Sequence, residues 1–373
     1  MDRASIMSKK PPRIRGFHHS IGEVADVRFH NSLVDDRKHP GPHKLLSVSP
    51  FLGATCNLNC AYCYTDAGIP HKNELTPGDL KSIIDQGRAL GAQTVVIAGT
   101  GEPLLDKNLM PFLQYIHNQG MTTVLYTNGT LVTPEIADRL YELDVSPLVK
   151  MNSLNEGVQD KLTRRRGSFK GIQRALRIFM ERGFNKAEPT RLGIESVICK
   201  PNLSEIPEIF RWARRNNIYP HIEMMIHSGR AVHNANELDI SIDEAREIFT
   251  TLSEIDRTEF GYSWIPKPPY VAGDCDMVYR NIVVDSHGNI KPCFGFVDVV
   301  GNVRETTLAK ALKSPLLKKL RRLDATIQGA CSTCALKSTC YGCRCEMNLC
   351  CNTFGAYKDC WMAAGRPKAP PRS

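Results

Sequence analysis

Long apolar runs are missing from this sequence: no window reaches the roughly 18 uninterrupted apolar residues that a membrane-spanning helix needs. A helical integral membrane protein is therefore excluded. The first residues (MDRASIMSKKPPRIRGFHHS) are basic, but no apolar stretch follows them, so no secretory signal is read and a cytoplasmic location is expected. No internal repeat is seen either. Low-complexity sequence is confined to the two ends, so the bulk of the chain must fold. Charge of one sign does not dominate either, with 48 Lys and Arg against 39 Asp and Glu. The basic residues are scattered, apart from short clusters at Arg164–Arg166 and Lys318–Arg322, and they read as a solvated surface in place of a nucleic-acid groove.

What the chain does have is cysteine, fourteen of them. With no export expected, thiols stay reduced and disulfides are not the reading. Intracellular cysteines used this heavily read as metal ligands. Three stand at 56, 60 and 63 and one at 199; ten fall between 275 and 360, eight of those between 331 and 360. The formal charge of +9 counts every thiol as neutral. One three-thiolate and two four-thiolate iron–sulfur sites would subtract about 5, leaving roughly +4.

Along 373 residues two or three structural units are expected. Residues 1–43, with four prolines and no sustained period, read as an extended arm. From 44 to 264 strand-like and helical segments alternate. The strand candidates are LLSVSPFL (45–52), TVVIAG (94–99), TTVLYT (122–127), LVKMNS (148–153), LGIESVI (192–198) and HIEMMI (221–226). Thr76-Pro77, Thr133-Pro134-Glu135 and the S-x-x-E of Ser241–Glu244 mark helix starts. Apolar residues at Ile172, Ala175, Leu176 and Phe179 give the 169–184 stretch a helical face. Six strands alternating with helices predict an α/β fold of parallel βα units, a partial (β/α)6 barrel too short to close, with its chemistry at the carboxyl ends of the strands. Residues 265–274 (IPKPPYVAGD) read as a hinge, 275–361 as a cysteine-rich second unit, and 362–373 as a disordered tail.

Cys56-x3-Cys60-x2-Cys63 directly follows the first strand candidate. Three thiolates in so short a loop can hold three irons of a [4Fe–4S] cube and leave the fourth open to a small chelator. Structural zinc wants four ligands, and no fourth partner is evident beside this loop.

This pattern, with Tyr62 before the last cysteine, resembles the radical S-adenosylmethionine (radical SAM) superfamily. Thr100-Gly101-Glu102-Pro103 after the second strand is similar to that family's Gly-Gly-Glu-Pro segment, with Thr in the first place. There the segment holds the methionine amine of the cofactor. The resemblance likewise implies that Thr127, Asn128 and Ser153 contact the cofactor's ribose and carboxylate, with Glu195 a weaker candidate. The distal cysteines are Cys275, Gly288-x4-Cys293, Cys331-x2-Cys334-x5-Cys340, then Cys343, Cys345, Cys350, Cys351 and Cys360. They resemble the SPASM extension with two auxiliary [4Fe–4S] clusters, except that residue 344 is Arg where that pattern has cysteine. The resemblance implies one auxiliary cluster on Cys275, Cys293 and one or both of Cys343 and Cys345, and a second on Cys331, Cys334, Cys340 and Cys360. Cys350 and Cys351 are left over. Zinc sites of ribbon type are the bland alternative.

The implied activity is reductive cleavage of S-adenosylmethionine to a 5′-deoxyadenosyl radical. The electron would come from a reductase such as flavodoxin or ferredoxin, and a substrate hydrogen atom would then be abstracted. A small polar molecule such as an amino sugar or cyclitol is the expected substrate, oxidised or epimerised, because the arm before Leu45 is short for a peptide-docking module. A peptide or protein side-chain maturase is the alternative. A plain electron carrier is disfavoured by Thr100–Pro103. Cys199, ending the fifth strand, is either a core residue or the hydrogen-atom donor of an epimerase. Glu223, Met224, Met225, Gly229 and Arg230 read first as core and loop residues, with lining of the substrate side as the sharper alternative, and His227 is expected at the surface.

Overall fold

The computed structural model describes residues 43–186, 190–264, 266, 277–337 and 340–362. The expected arm, hinge and tail lie outside these residues, apart from single positions at their margins, and so does Cys275. Six parallel strands form in the expected places: β1 (Ser47–Pro50), β2 (Thr94–Ile97), β3 (Thr122–Thr127), β4 (Val145–Lys150), β5 (Gly193–Ile198) and β6 (Tyr219–Met224). They lie side by side in chain order. Helices α1 (Pro77–Ala89), α2 (Leu109–Asn118), α3 (Pro134–Glu142), α4 (Glu156–Thr163), α5 (Ser168–Glu181) and α6 (Ile206–Arg215) fill the connections. The helix starts follow from sequence. Thr76 caps α1 reciprocally with Asp79, with Pro77 in the first turn, and Ser241 does the same with Glu244 for helix Ile242–Ile255.

Strand periodicity of two sorts the side chains into two cores. Val95, Ile97, Leu125, Val149, Ile194, Ile198 and Ile222 face outward and pack with the helices. Val96, Ala98, Val124, Leu148 and Tyr219 face inward as an apolar layer.

The sheet does not close, as expected of a partial barrel. The free edge of β1 is instead taken by β7 (Val283–Val284) from the second unit, parallel to β1. β8 (Asn289–Lys291) and β9 (Gly301–Asn302) then continue antiparallel to make nine strands. Ser47 and Ser49 hydroxyls reinforce this seam by donating to Asn281 Oδ1 at 2.9 and 3.1 Å.

Two strands start earlier than their sequence suggested, β4 at Val145 and β6 at Tyr219, and both contain proline. Pro147 costs no ladder bond because β5 joins β4 only from Leu148 onward, and Pro220 lies on the edge strand of the sheet. A buried ion pair closes the far end. Asp256 accepts from Arg214 Nε and Nη2 at 2.8 and 2.6 Å and from Trp264 Nε1 at 2.8 Å.

Candidate active site

The three-cysteine loop leaves the carboxyl end of β1 and is pinned by the last turn of α4. The Asn59 and Ala61 N–H groups donate to the carbonyls of Thr163 and Leu162 at 3.2 and 2.9 Å, using acceptors that a helix C-terminus leaves unpaired. Arg165 Nη1 donates to Asn57 O (3.2 Å) and Arg230 Nε to Cys60 O (3.1 Å). The thiols of Cys56, Cys60 and Cys63 are all unbridged. Burial raises Cys56, and it pushes Cys60 up to about 12. Such thiols ionise readily only when a metal takes the proton's place.

Thr100–Pro103 lies against the chain entering this loop. Glu102 N–H donates to Thr55 O at 2.9 Å, and a Cβ at Gly101 would overlap the carbonyl oxygens of Thr55 and Gly53. Thr100 has a φ of 63°, a left-handed conformation uncommon outside glycine, which explains why glycine suits that first position. The Thr100 hydroxyl is buried without a hydrogen-bond partner. An unpaired buried hydroxyl beside bare backbone fits a small polar ligand lying along the segment.

The other side chains of the predicted cofactor set are occupied within the protein. Glu102 accepts from Thr127 Oγ1 (2.6 Å), Asn128 N (2.7 Å) and Leu104 N (3.1 Å), and so locks the ends of β2 and β3 together. Ser153 donates to Glu205 at 2.7–2.9 Å, while Gln159 Oε1 accepts from the N–H groups of Asn152 and Ser153. Asn128 Nδ2 donates to Asn57 Oδ1 at 2.8 Å, tying β3 to the cysteine loop. Glu205, Gln159 and Asn57 escaped the sequence reading, being polar residues without a motif.

Above the apolar layer the inward positions of the last strands turn polar. Glu195 does not reach toward Ser153; it pairs with Lys150 Nζ at 2.5 Å, and Glu223 lies 4.0 Å from the same ammonium. His221 Nε2 is 3.5 Å from Glu223. Burial pushes Glu195 up to about 7, against the pull of Lys150 and with help from Glu223. Burial also lifts the Tyr64 and Tyr126 phenols, and the carboxylates of Glu195 and Glu223 raise them further. The Lys150 ammonium sits 5.5 Å over the Tyr62 ring of the cysteine loop. A buried polar cluster thus lies directly under that loop. Sequence reading named Glu195 and Glu223 but missed Lys150, His221, Tyr64 and Tyr126. The available signal was charge at inward positions of otherwise apolar strands.

One expectation needs correction. His227 is not a surface residue: its Nδ1 meets Glu346 at 3.0 Å and its Nε2 meets Asp239 at 2.7 Å, with 14% of the side chain exposed. It joins the loop after β6 to the second unit. Arg230 lies on the outer side of the cysteine loop, paired with Asp66 at 2.7 Å, apart from the polar cluster. Met225 packs with Ala61, Tyr62, Leu162, Val197 and Cys199 in an apolar cluster. Cys199 is fully buried there, and burial pushes its thiol up to about 12.

The distal thiols gather in two groups. Burial raises Cys293, with help from Cys343; Cys345 is held well above the usual thiol range by its hydrogen bond with Cys343, by burial and by Cys293, and a Cβ at Gly295 would overlap the Cys345 sulfur. Cys340 is raised by burial and by Cys360, Cys331 and Cys334 around it. Backbone N–H groups point at several of these sulfurs: Glu346 to Cys343, Leu336 to Cys334 and Tyr357 to Cys331, each 3.4 Å. Such donors stabilise thiolate ligands. The leftover pair, Cys350 and Cys351, is bonded to itself.

Comparison with known proteins agrees with this geometry. Residues 51–213 match the radical SAM superfamily, and residues 275–335 match SPASM, an iron–sulfur cluster-binding domain. Fe-coproporphyrin III synthase of Methanosarcina barkeri is 32% identical over 203 residues, covering 53% of this chain and about half of that protein's length (48%). AdoMet-dependent heme synthase of the same organism is 25% identical over 326 residues, 79% of this chain and 89% of that one. Mycofactocin maturase MftC of Mycolicibacterium smegmatis is 27% identical over 301 residues, 77% and 74% respectively. The crystal structure of Streptococcus suis SuiB bound to S-adenosylmethionine shares the fold, with a TM-score of 0.66, 18% identity and coverage of 86% and 78%. The chain belongs to the radical SAM superfamily, with a SPASM domain behind its partial barrel.

Proposed function

We propose that this radical SAM enzyme oxidises a side chain of a peptide or protein substrate, in place of the amino sugar or cyclitol expected from sequence. The observation that carries oxidation is the position of the buried polar cluster under the cysteine loop. Tyr64, which feels Glu195 and Glu223 of that cluster, also feels Cys63 of the first loop and Cys293 of the second unit, so a substrate bound beside it would lie between the two cysteine groups. The peptide assignment draws support from the likeness to a mycofactocin maturase across both units. A second reading, oxidation of a tetrapyrrole side chain, draws support from the two Methanosarcina synthases.

When bound, the [4Fe–4S] clusters and S-adenosylmethionine supply the one-electron chemistry that removes a hydrogen atom from an unreactive C–H bond. Cys56, Cys60 and Cys63 would hold the cofactor-binding cluster. Cys293, Cys343 and Cys345 would join Cys275 around one auxiliary cluster, and Cys331, Cys334, Cys340 and Cys360 would hold the other. The Thr100 hydroxyl and the Gly101 backbone would cradle S-adenosylmethionine, with Glu102 holding that cradle's shape. The inward apolar layer seals the barrel floor against water. Glu195, poised near neutral pH beside Lys150, can take the proton that an oxidised substrate carbon or heteroatom releases.

The test is anaerobic. Reconstituted protein with S-adenosylmethionine and dithionite is offered short peptides encoded beside its gene, Fe-coproporphyrin III and amino sugars, and the products are weighed. A peptide lighter by two hydrogens, without deuterium gained in D₂O and unaffected by Cys199→Ala, supports the proposal. Turnover of the porphyrin alone favours the second reading, and turnover of amino sugars alone overturns both. A one-unit gain in D₂O that Cys199→Ala abolishes would indicate an epimerase.

A further inference from the structure

The outer face of the cysteine loop carries a feature that the proposed reaction leaves unused. A pocket of about 560 Å³ opens there, with Cys56, Asn57, Ile69, Arg164, Arg165 and Arg230 in its walls. Three arginines face it against one acid, Asp66, which Arg230 already neutralises at 2.7 Å. Arg164 and Arg165, with Arg166 next to them, are exposed; this is the basic triplet that stood out in the sequence. Ile69, in the same wall, is 80% exposed. An exposed apolar side chain set in a cationic rim, over a pocket that reaches a cluster thiol, is the layout of a docking site for a charged partner.

We infer that this face receives the electron donor, a small acidic one-electron carrier protein whose redox group lies at an exposed edge among carboxylates. The inference rests on the radical SAM reading, because only a cluster on Cys56, Cys60 and Cys63 needs an electron here. Electron transfer weakens steeply with distance, so the donor must come close to those thiols. The inner side of the loop is closed to a protein by Lys150, packed over Tyr62, and by the β strands, whereas the outer pocket touches Cys56 directly. Fixed positive charge on the rim steers an acidic carrier and orients it, and Ile69 gives the contact an apolar centre. Arg165 and Arg230 also hold the loop through Asn57 O and Cys60 O. Arg164 Nη2 donates to Asn234 Oδ1 at 2.5 Å, and Asn234 in turn holds Ala61 O of the loop, so the side chains to vary for the partner alone are Ile69 and the exposed Arg166.

The experiment compares reduced flavodoxin with dithionite, a small reductant that needs no docking surface. Binding of flavodoxin to the reconstituted protein is measured by biolayer interferometry, and S-adenosylmethionine cleavage is followed with each reductant. Ile69→Glu and Arg166→Glu should each weaken flavodoxin binding about tenfold or more. Binding to the parent protein should also weaken as salt rises from about 50 to about 300 mM. Cleavage with dithionite should not change. Unaltered flavodoxin affinity in both variants, or an equal loss of cleavage with dithionite, overturns the inference while the radical SAM reading stands. No cleavage by the parent protein with dithionite sinks that reading and the docking site together. Tight inorganic phosphate binding in the pocket with no affinity for flavodoxin would assign it to a small anion instead, and would also overturn the inference.

Discussion

Asp256 is fully buried, and its carboxylate is spent on Arg214 and Trp264. Replacing it by Ala leaves the Arg214 guanidinium buried beside nothing of opposite charge. A loss of about 3–5 kcal/mol is expected, read as a lower urea midpoint. Glu195 gives a prediction with a definite sign. Burial raises its carboxyl from 4.5 to about 7, so the folded state holds a proton that the unfolded chain has released. Stability should therefore fall as pH rises between about 4.5 and 7. Glu195→Gln should flatten the melting temperature over that window, and an unchanged slope would show that another group sets it. The cysteines could be read from sequence because their chemistry lies in residue type and spacing. Lys150, His221 and Tyr126 could not, since their meeting depends on which face of each strand turns inward. His227 was misread because both of its carboxylates, Asp239 and Glu346, are distant in sequence.

Helix starts were legible wherever a cap announced them, as at Thr76 and Ser241. Strand boundaries failed at Pro147 and Pro220, where the expected penalty disappears because one position precedes a partner strand and the other lies on an edge. The second unit offered no periodicity to read: its strands are two or three residues long, and its order depends on thiols. Helix Arg344–Cys350 shows how. Cys343 is its N-cap, accepting from Glu346 N, and Cys345 lies in its first turn, so a ligand change there also disturbs a helix. Cys293 and Cys334 lie outside any helix and make cleaner tests. Cys293→Ala or Cys334→Ala should leave S-adenosylmethionine cleavage measurable while abolishing product. Normal turnover in both variants would reduce the distal thiols to scaffolding.

For the molecule as a whole, the two distal thiol groups and the proximal loop set the iron content. Anaerobic reconstitution should give about twelve irons per chain, four for each of three clusters. Changing Cys56, Cys60 and Cys63 together to Ala should remove about a third of the iron and all cofactor cleavage. Zinc in place of iron, with no absorption near 400 nm, would refute the cluster reading. The overall architecture was readable from the alternation of strands and helices, but the seam between the units was not. Val283 and Val284 are too short a run to declare themselves a strand, and they become one only by pairing with Ser49 and Pro50.

That pairing means the barrel and the thiol-rich unit are not separable modules. A fragment ended after Trp264 would strip β1 of its neighbour and leave the backbone groups that now bond to residues 280–284 facing solvent. A bare parallel edge of this kind recruits whatever strand is nearest, usually from another copy. The truncated barrel should therefore clump where the intact chain stays dispersed, and adding the missing half as a separate polypeptide during refolding should rescue it.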